Sequence, residues 1–268
     1  NWIGINVHVD GEELDLATAK VESFTRVLNM REGLLQRQFI ATLPSGKKVQ
    51  VRATRFTSIV DTDNGVIRYE VTPLNFSGGI RFTPLLDLNV FNQDSNYDEQ
   101  FWIEISRAAS NGAAALTGET KKTQFHVAAA FSLALTLNGE EQVVQAQAVS
   151  QEKFVANVVE VNVAQDQTAT LFKYAAVVSS LYSDKATIQS DAEKSAASAK
   201  AKGFDTLLKE HSDAWIQKWA ECDITIEGDV AAQQAIRFNI LQMNQTYTGD
   251  DERLNIGPKG FTGEKYGG

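Results

Sequence analysis

A large antiparallel β-sandwich followed by helices, a mainly β fold with an α portion at its end, is the class this sequence predicts, and three observations predict it. Apolar and polar residues alternate with period two from Trp2 to about Val178, the spacing of strands that turn one face to a core. Turn residues punctuate that stretch at Pro44-Ser45-Gly46, Asp63-Asn64-Gly65, Ser77-Gly78-Gly79 and Asn138-Gly139. They divide it into about ten strands with no helices between, which argues against a parallel α/β sheet. Near Ser183 the period changes to that of helices and stays so to the end of the regular pattern.

In order along the chain, Ile3, Ile5, Val7 and Val9 share one face of the first strand, which ends at Asp10-Gly11. Val49, Val51 and Ala53 alternate with Gln50, Arg52 and Thr54, and Ile67, Tyr69 and Val71 with Arg68, Glu70 and Thr72, so one face is core and the other meets water or a second layer. Asn138-Gly139 has the chemistry of a tight hairpin. The longest strand runs from Thr123 to Leu137, with Phe125, Val127, Ala129, Phe131, Leu133, Leu135 and Leu137 on one face. Its other face, His126, Ala128, Ala130, Ser132, Ala134 and Thr136, is small and weakly polar, which predicts a second layer packed there.

From Ile188 to about Ala220 the sequence is rich in Ala, Lys and Glu, with Ser190 as candidate N-cap and Gly203 dividing two helices. Phe204, Leu207, Leu208, His211, Trp215 and Trp219 form a stripe that predicts a linker helix lying against a neighbouring domain. Asp223 to Gly228 reads as a short strand, and Asp229 as the N-cap of a helix from Val230 to about Tyr247. That helix carries Ile236, Ile240, Met243 and Tyr247 on one face and Ala235, Phe238 and Leu241 on another, so it is expected to be buried between layers, as the first helix of an α/α barrel is. The predicted organisation is a β-sandwich over 1–188, a helical linker over 189–221 and the start of an (α/α)6-barrel domain over 222–268.

The chain has 268 residues, a formal net charge of −9 and 43% hydrophobic residues, enough for a sizeable core. Its acidity and the lack of a basic cluster argue against nucleic acid as partner. No apolar run is long enough to span a bilayer, which argues against a membrane. The single Cys222 cannot make an internal disulfide and points to a reducing compartment, the cytoplasm. The start at Asn1, in mid-strand, reads as an internal piece of a longer protein.

Few side chains carry obvious chemistry. His211 reads as a packed histidine, since no second histidine or carboxylate stands at ligand spacing on its face, and His8 and His126 are isolated on strands; no metal site is expected. Cys222 reads as a buried structural thiol. Asp61/Asp63, Glu140/Glu141 and Asp250/Asp251 sit in turns without the arrangement of a glycosidase pair. Asn75-Phe-Ser77 and Asn244-Gln-Thr246 fit a glycosylation sequon, a triplet common by chance.

The densest signal lies at the end. Gly257, Gly260, Gly263, Gly267 and Gly268 crowd a loop after the last helix, where glycine permits close approach of the backbone to something else. It is neither a Walker loop nor G-x-G-x-x-G. The run Leu254-Asn-Ile-Gly-Pro-Lys-Gly-Phe-Thr-Gly-Glu-Lys-Tyr-Gly-Gly268 resembles the start of the catalytic domain in glycoside hydrolase family 65, the maltose, trehalose and kojibiose phosphorylases. In that family a Trp-Asp-Thr-Glu segment follows the glycine pair and holds the transferred glucose. The chain stops before it, and the family's catalytic glutamate, Lys-Gln contacts and phosphate-binding residues have no counterpart position here.

The resemblance implies a β-sandwich joined by linker helices to an (α/α)6 barrel. It also implies inverting phosphorolysis of maltose to β-glucose 1-phosphate and glucose, with trehalose, kojibiose or nigerose, or hydrolysis, as alternatives. Inorganic phosphate is then a co-substrate, no cofactor is required, and the enzyme is expected to be a homodimer. Within this chain the resemblance leaves Glu264 and Tyr266, in the loop Gly257 to Gly268, as the candidate substrate-binding residues. A different class, a non-catalytic carbohydrate-binding sandwich, predicts exposed aromatics spaced along one sheet face.

Overall fold

The computed structural model describes residues 1–91, 100–247, 249 and 251–254. The described strands are β1 (Ile5–Val9), β2 (Glu12–Glu13), β3 (Lys20–Asn29), β4 (Leu34–Thr42), β5 (Lys48–Thr57), β6 (Asn64–Pro73), β7 (Gly78–Asp87), β8 (Trp102–Ser110), β9 (Ala113–Thr120), β10 (His126–Leu137), β11 (Glu140–Gln142), β12 (Ala146–Gln151), β13 (Phe154–Val163) and β14 (Ala169–Ser179). Three helices follow, α1 (Ile188–Lys202), α2 (Phe204–Cys222) and α3 (Val230–Thr246). The order, strands first and helices last, is the one the change of period predicts. The strand count exceeds the expected ten in part because β2 and β11 are too short to carry a periodic signal, and Asn64, Gly78 and Gly79 begin strands instead of filling turns.

Every ladder is antiparallel. One sheet runs β3-β4-β5-β6-β14-β10-β9-β8, with β11 added beside β10, and the other runs β12-β13-β7-β1-β2. Period two decides what lies between them. Phe39, Val51, Val71, Phe131, Leu133 and Leu171 of the larger sheet meet Val9, Ile80, Phe82, Val155 and Val159 of the smaller in one core. The Asn138-Gly139 hairpin between β10 and β11 has φ of 51° and 84°, the pair of positive values that a type I′ turn requires.

The outer face of β10 is small for a reason that the helices supply. Ala128 and Ala130, with Ala115, Ala176 and Val178 of neighbouring strands, receive Ile188, Ala192 and Ala196 of α1. Alanine against alanine lets helix and sheet backbones come close, so the expected second layer is α1. Gly203, at φ 81°, ends that helix and starts the next. The N-cap of α1 is Thr187, not Ser190; Ser190 lies inside the first turn and its hydroxyl donates to the Thr187 carbonyl.

Helix α2 docks through Phe204, Leu207, His211 and Trp215 onto β4, β5, β6 and β14. The stripe therefore lies against the sandwich itself. Trp215 is buried over Gly33, whose φ of +66° and lack of Cβ make room for the indole, whereas Trp219 is half-buried and donates to the Met30 carbonyl at 2.9 Å.

One expectation about the end of the chain is corrected. Asp223 to Gly228 forms no strand: among the described residues no ladder partner is beside it, and Gln233 caps its backbone, accepting from the Ile226 N–H at 2.7 Å and donating to the Ile224 carbonyl at 2.8 Å. Helix α3 begins as expected, with the Asp229 carboxylate accepting from the Ala232 N–H at 2.9 Å. Among the described residues it is covered only in part. Ile240 and Leu241 are its buried residues, while Val230, Phe238 and Met243 are exposed.

Candidate functional site

Glu264 and Tyr266 lie outside the described residues, as does the whole loop Gly257 to Gly268. The approach to that loop is described, and it is anchored. Asp251 accepts from the Arg253 backbone N–H at 2.9 Å and from its guanidinium at 2.9 and 2.7 Å, and the Tyr182 hydroxyl donates to the same carboxylate at 2.9 Å. The Arg253 guanidinium stands 5.6 Å from the centre of the Tyr182 ring. Tyr182 follows β14, so these contacts tie the entry of the loop to the end of the sandwich.

The electrostatics suit bracing more than proton transfer. Hydrogen bonds from Arg253 hold the Asp251 carboxyl well below the usual carboxylate range, and the hydrogen bond to Asp251 raises the Tyr182 hydroxyl above its ordinary value. Asp251 is thus no idle turn carboxylate. Its spacing from Arg253 carried the local signal, but Tyr182 is 69 positions away, and sequence alone does not pair them.

A groove of about 600 Å³ lies between the β3–β4 turn, the end of α2 and α3, lined by Leu28, Met30, Arg31, Trp219, Asp223 and Arg237. Arg237 spans both Asp223 oxygens at 2.8 and 2.7 Å, and this pairing lowers the Asp223 carboxyl and raises the guanidinium. Among the described residues the lining holds no second carboxylate to work with Asp223, so these residues supply no acid and base pair.

His211 has both ring nitrogens engaged. Nδ1 accepts from the Ile59 N–H at 3.4 Å and Nε2 faces the Gly33 carbonyl at 3.2 Å, which selects the neutral tautomer with hydrogen on Nε2. Burial lowers its pKa further. It is a packed histidine. Cys222 is half-buried, with its thiol donating to the Lys218 carbonyl at 3.0 Å. His126 faces Glu119 on the adjacent strand at 2.9 Å. Among the described residues no group of three or more His, Cys, Asp or Glu is placed to hold a metal ion, and no helix is long and apolar enough to cross a membrane.

The sequence pattern missed Lys173, which stands on an inward phase of β14. Its Nζ donates to the carbonyls of Trp2, Gly4 and Leu85 at 2.5, 3.1 and 2.7 Å, and lies 5.0 Å from the centre of the Phe131 ring. Burial lowers the ammonium to about 7. A lone cation among the apolar phases of 169–179 was the available signal. Of the exposed aromatics among the described residues, Phe24 lies on β3, Phe238 on α3, and Phe91, Phe125 and Tyr182 outside the strands, so they are not spaced along one sheet face, which speaks against the carbohydrate-binding sandwich.

Comparison with known proteins agrees with the topology. The model described as "Glycosyl hydrolase family 65, N-terminal domain" matches residues 1–218, and the one described as "Glycosyl hydrolase family 65 central catalytic domain" matches residues 237–268. The chain is 38% identical over 268 residues to a maltose phosphorylase of Bacillus subtilis (strain 168), covering all of this chain and 35% of that protein. It is 30% identical over 272 residues to an alpha,alpha-trehalose phosphorylase of Thermoanaerobacter brockii, covering 98% and 35%. A kojibiose phosphorylase of Caldanaerobacter subterraneus is 26% identical over 277 residues, covering 100% and 36%. A solved structure assigned as a kojibiose phosphorylase from human microbiome superposes with a TM-score of 0.86 at 22% identity, covering 97% of this chain and 33% of that one. The chain thus spans about a third of the length of these relatives. With its sandwich, its trailing helices and a family model matched over residues 1–218, the chain belongs to glycosyl hydrolase family 65.

Proposed function

We propose that this chain is the sandwich, linker and first barrel helix of a disaccharide phosphorylase that converts maltose and inorganic phosphate to β-glucose 1-phosphate and glucose. The observation that carries the reading is the 38% identity to a maltose phosphorylase, against 30% and 26% for the trehalose and kojibiose phosphorylases. In the proposed reaction a glutamic acid beyond this chain gives its proton to the glycosidic oxygen. A phosphate oxygen attacks C1 from the opposite face, the C1–O bond to the leaving glucose breaks, and the configuration inverts. Phosphate arrives as an anion and needs no carboxylate to deprotonate it. It is a co-substrate, and no organic cofactor or metal is required.

The division proposed is a sandwich over 1–188, a helical linker over 189–221 and the start of an (α/α)6 barrel from 222. The exposed Phe238 and Met243 of α3 support it, since the remaining barrel helices would cover them. The working enzyme is proposed to be a cytoplasmic homodimer. The test is release of glucose 1-phosphate by the full-length protein from maltose, trehalose, kojibiose and nigerose, each with phosphate, with the anomer read by NMR. Maltose should be turned over fastest and give the β-anomer; preference for another disaccharide would overturn the assignment.

Glu264 and Tyr266 are proposed to reach the substrate or to orient the groups that do, and the anchoring of the loop entry by Tyr182, Asp251 and Arg253 supports this. Glu264→Gln and Tyr266→Phe in the full-length enzyme should lower turnover with an unchanged melting temperature, by up to about a hundredfold if the reacting groups shift by about 1 Å. Unchanged turnover and Michaelis constants would remove both residues from the site.

A further inference from the structure

At one end of the sandwich the inward face stops being apolar. Arg26 of β3 is registered directly opposite Arg37 of β4, and Arg55 of β5 stands in the next inward row, opposite Leu35. That second row continues through Ile67 to the buried Lys173. These are the phases that Phe24, Phe39 and Val51 occupy further along the same strands, so the pattern reserves them for the core. Like charges opposite one another on neighbouring strands are destabilising, and among the described residues none of the three guanidiniums makes an ion pair with a carboxylate. Arg37 reaches the Tyr69 hydroxyl, at a long 3.5 Å, and lies over the Phe39 ring.

The three arginines open onto a cleft of about 270 Å³ whose other walls are Tyr69, Ile67 and the segment Ile3 to Asn6. Among the described residues no acidic one lines it. Burial, and after it the charges of Arg37 and Arg26, lower the Arg55 guanidinium, as expected for cations crowded together without a counter-charge. Lys173, next to Ile67 in the same row, has its own donors taken by carbonyls.

We propose that this cleft binds a small phosphate-bearing anion, gripped by Arg37 and Arg55 with Arg26 at the mouth. Planar guanidiniums match phosphate oxygens in pairs, and a phosphate group carrying between one and two charges near pH 7 offsets three cations better than a single carboxylate does. The cleft is near the lower end of ligand-sized pockets and suits free phosphate or a hexose phosphate. The apolar walls and Tyr69 give the uncharged part of a phosphate ester a surface to rest on. The inference uses the arginines alone, and a full-length protein that fails to phosphorolyse maltose would leave it standing.

The experiment titrates the full-length protein with inorganic phosphate and with glucose 1-phosphate at constant ionic strength, with sodium chloride and glucose as controls. Melting temperature is read for the parent and for the double variant Arg37→Leu with Arg55→Leu. Comparing parent with variant isolates the anion held in this cleft from any held elsewhere. Parent and variant should respond alike to the controls, and at least one phosphate compound should stabilise the parent more than it stabilises the variant. The variant should bind it at least about tenfold more weakly, and in phosphate-free buffer should melt no lower than the parent because the repulsion is gone. Response to phosphate alone identifies the free ion as occupant, and stronger response to glucose 1-phosphate identifies an ester. If the double variant does not fold, Arg26→Gln at the exposed mouth should still weaken binding measurably. A variant that keeps the parent's full anion response overturns the proposal. So does loss of oligomeric mass on size exclusion with the anion response retained, which would show an acidic side chain of another subunit as the natural counter-charge.

Discussion

Lys173 and His211 are both polar residues that the fold buries with backbone partners, and they differ in what titration does to them. The Lys173 ammonium supplies three N–H donors to three carbonyls from two separate segments, Trp2 to Gly4 and Leu85, so it fastens the first residues and β7 to β14. Lys173→Met removes this donor from the Trp2 and Leu85 carbonyls, while the Gly4 carbonyl keeps the Leu85 N–H at 3.1 Å, and should cost at least about 1–3 kcal/mol, read as a lower urea midpoint with an unchanged slope. An unchanged midpoint would mean that water replaces the ammonium. For His211 the proton matters. Protonating Nδ1 would set it against the Ile59 N–H, and burial also lowers its folded pKa below 6.5. The unfolded chain then binds the proton first as pH falls. The contribution of His211 is therefore full above about 6.5 and is lost as pH drops from there toward the folded value. The stability difference between the parent and His211→Gln should shrink between about pH 7.5 and 5.5, and a difference independent of pH would place the proton elsewhere. Neither role was open to a reading of spacing: the stripe revealed that His211 is packed, but its partners are 152 and 178 positions away.

Among the elements, the helices show what periodicity reveals and what it leaves open. The stripe Phe204, Leu207, His211 and Trp215 correctly marks the docked face of α2, yet a stripe does not name its partner, and the partner is the sandwich. The decisive feature sits on the other side of the contact, where Gly33 adopts φ +66° and leaves space for Trp215. Trp215→Ala should cost about 3–5 kcal/mol in the full-length protein. Trp219→Ala should cost less, because Trp219 is half-buried and contributes one hydrogen bond to Met30. Chemical denaturation of the two variants checks the order, and equal losses would mean that Trp219 is covered in the whole protein. Helix α3 shows the opposite case. Two apolar faces predicted burial, but only Ile240 and Leu241 are buried. Among the described residues Phe238 and Met243 are exposed, and this apolar face is what the proposed barrel would bury. The strand expected at 223–228 failed because alternation is also satisfied by an extended segment whose backbone is capped by a side chain, here Gln233.

At the scale of the molecule, the sandwich was legible because its core follows from alternation, and the order of the strands was not, because β14 pairs with both β6 and β10 through contacts no local pattern encodes. The candidate loop was legible only by resemblance, since glycine spacing identifies close backbone approach without naming what approaches. The distribution of chemistry leads to the last prediction. Glycoside transfer needs an acid beside the scissile bond and groups that hold the sugar and the attacking anion. Among the described residues, Asp251 is held ionised by Arg253, Asp223 is matched by Arg237, and His211 is neutral with both nitrogens bonded to backbone. None of these can deliver a proton to a glycosidic oxygen. The catalytic-domain model matches only 237–268 of the chain, which spans 35% of the maltose phosphorylase it resembles. The chain of 268 residues expressed alone should therefore release no glucose 1-phosphate from maltose and phosphate, even at high protein concentration, while the full-length protein does so under the same conditions. Far-ultraviolet circular dichroism and a cooperative melt establish that the isolated chain is folded when it is assayed. Turnover above a blank by a folded isolated chain would move the general acid into these residues and overturn its placement downstream.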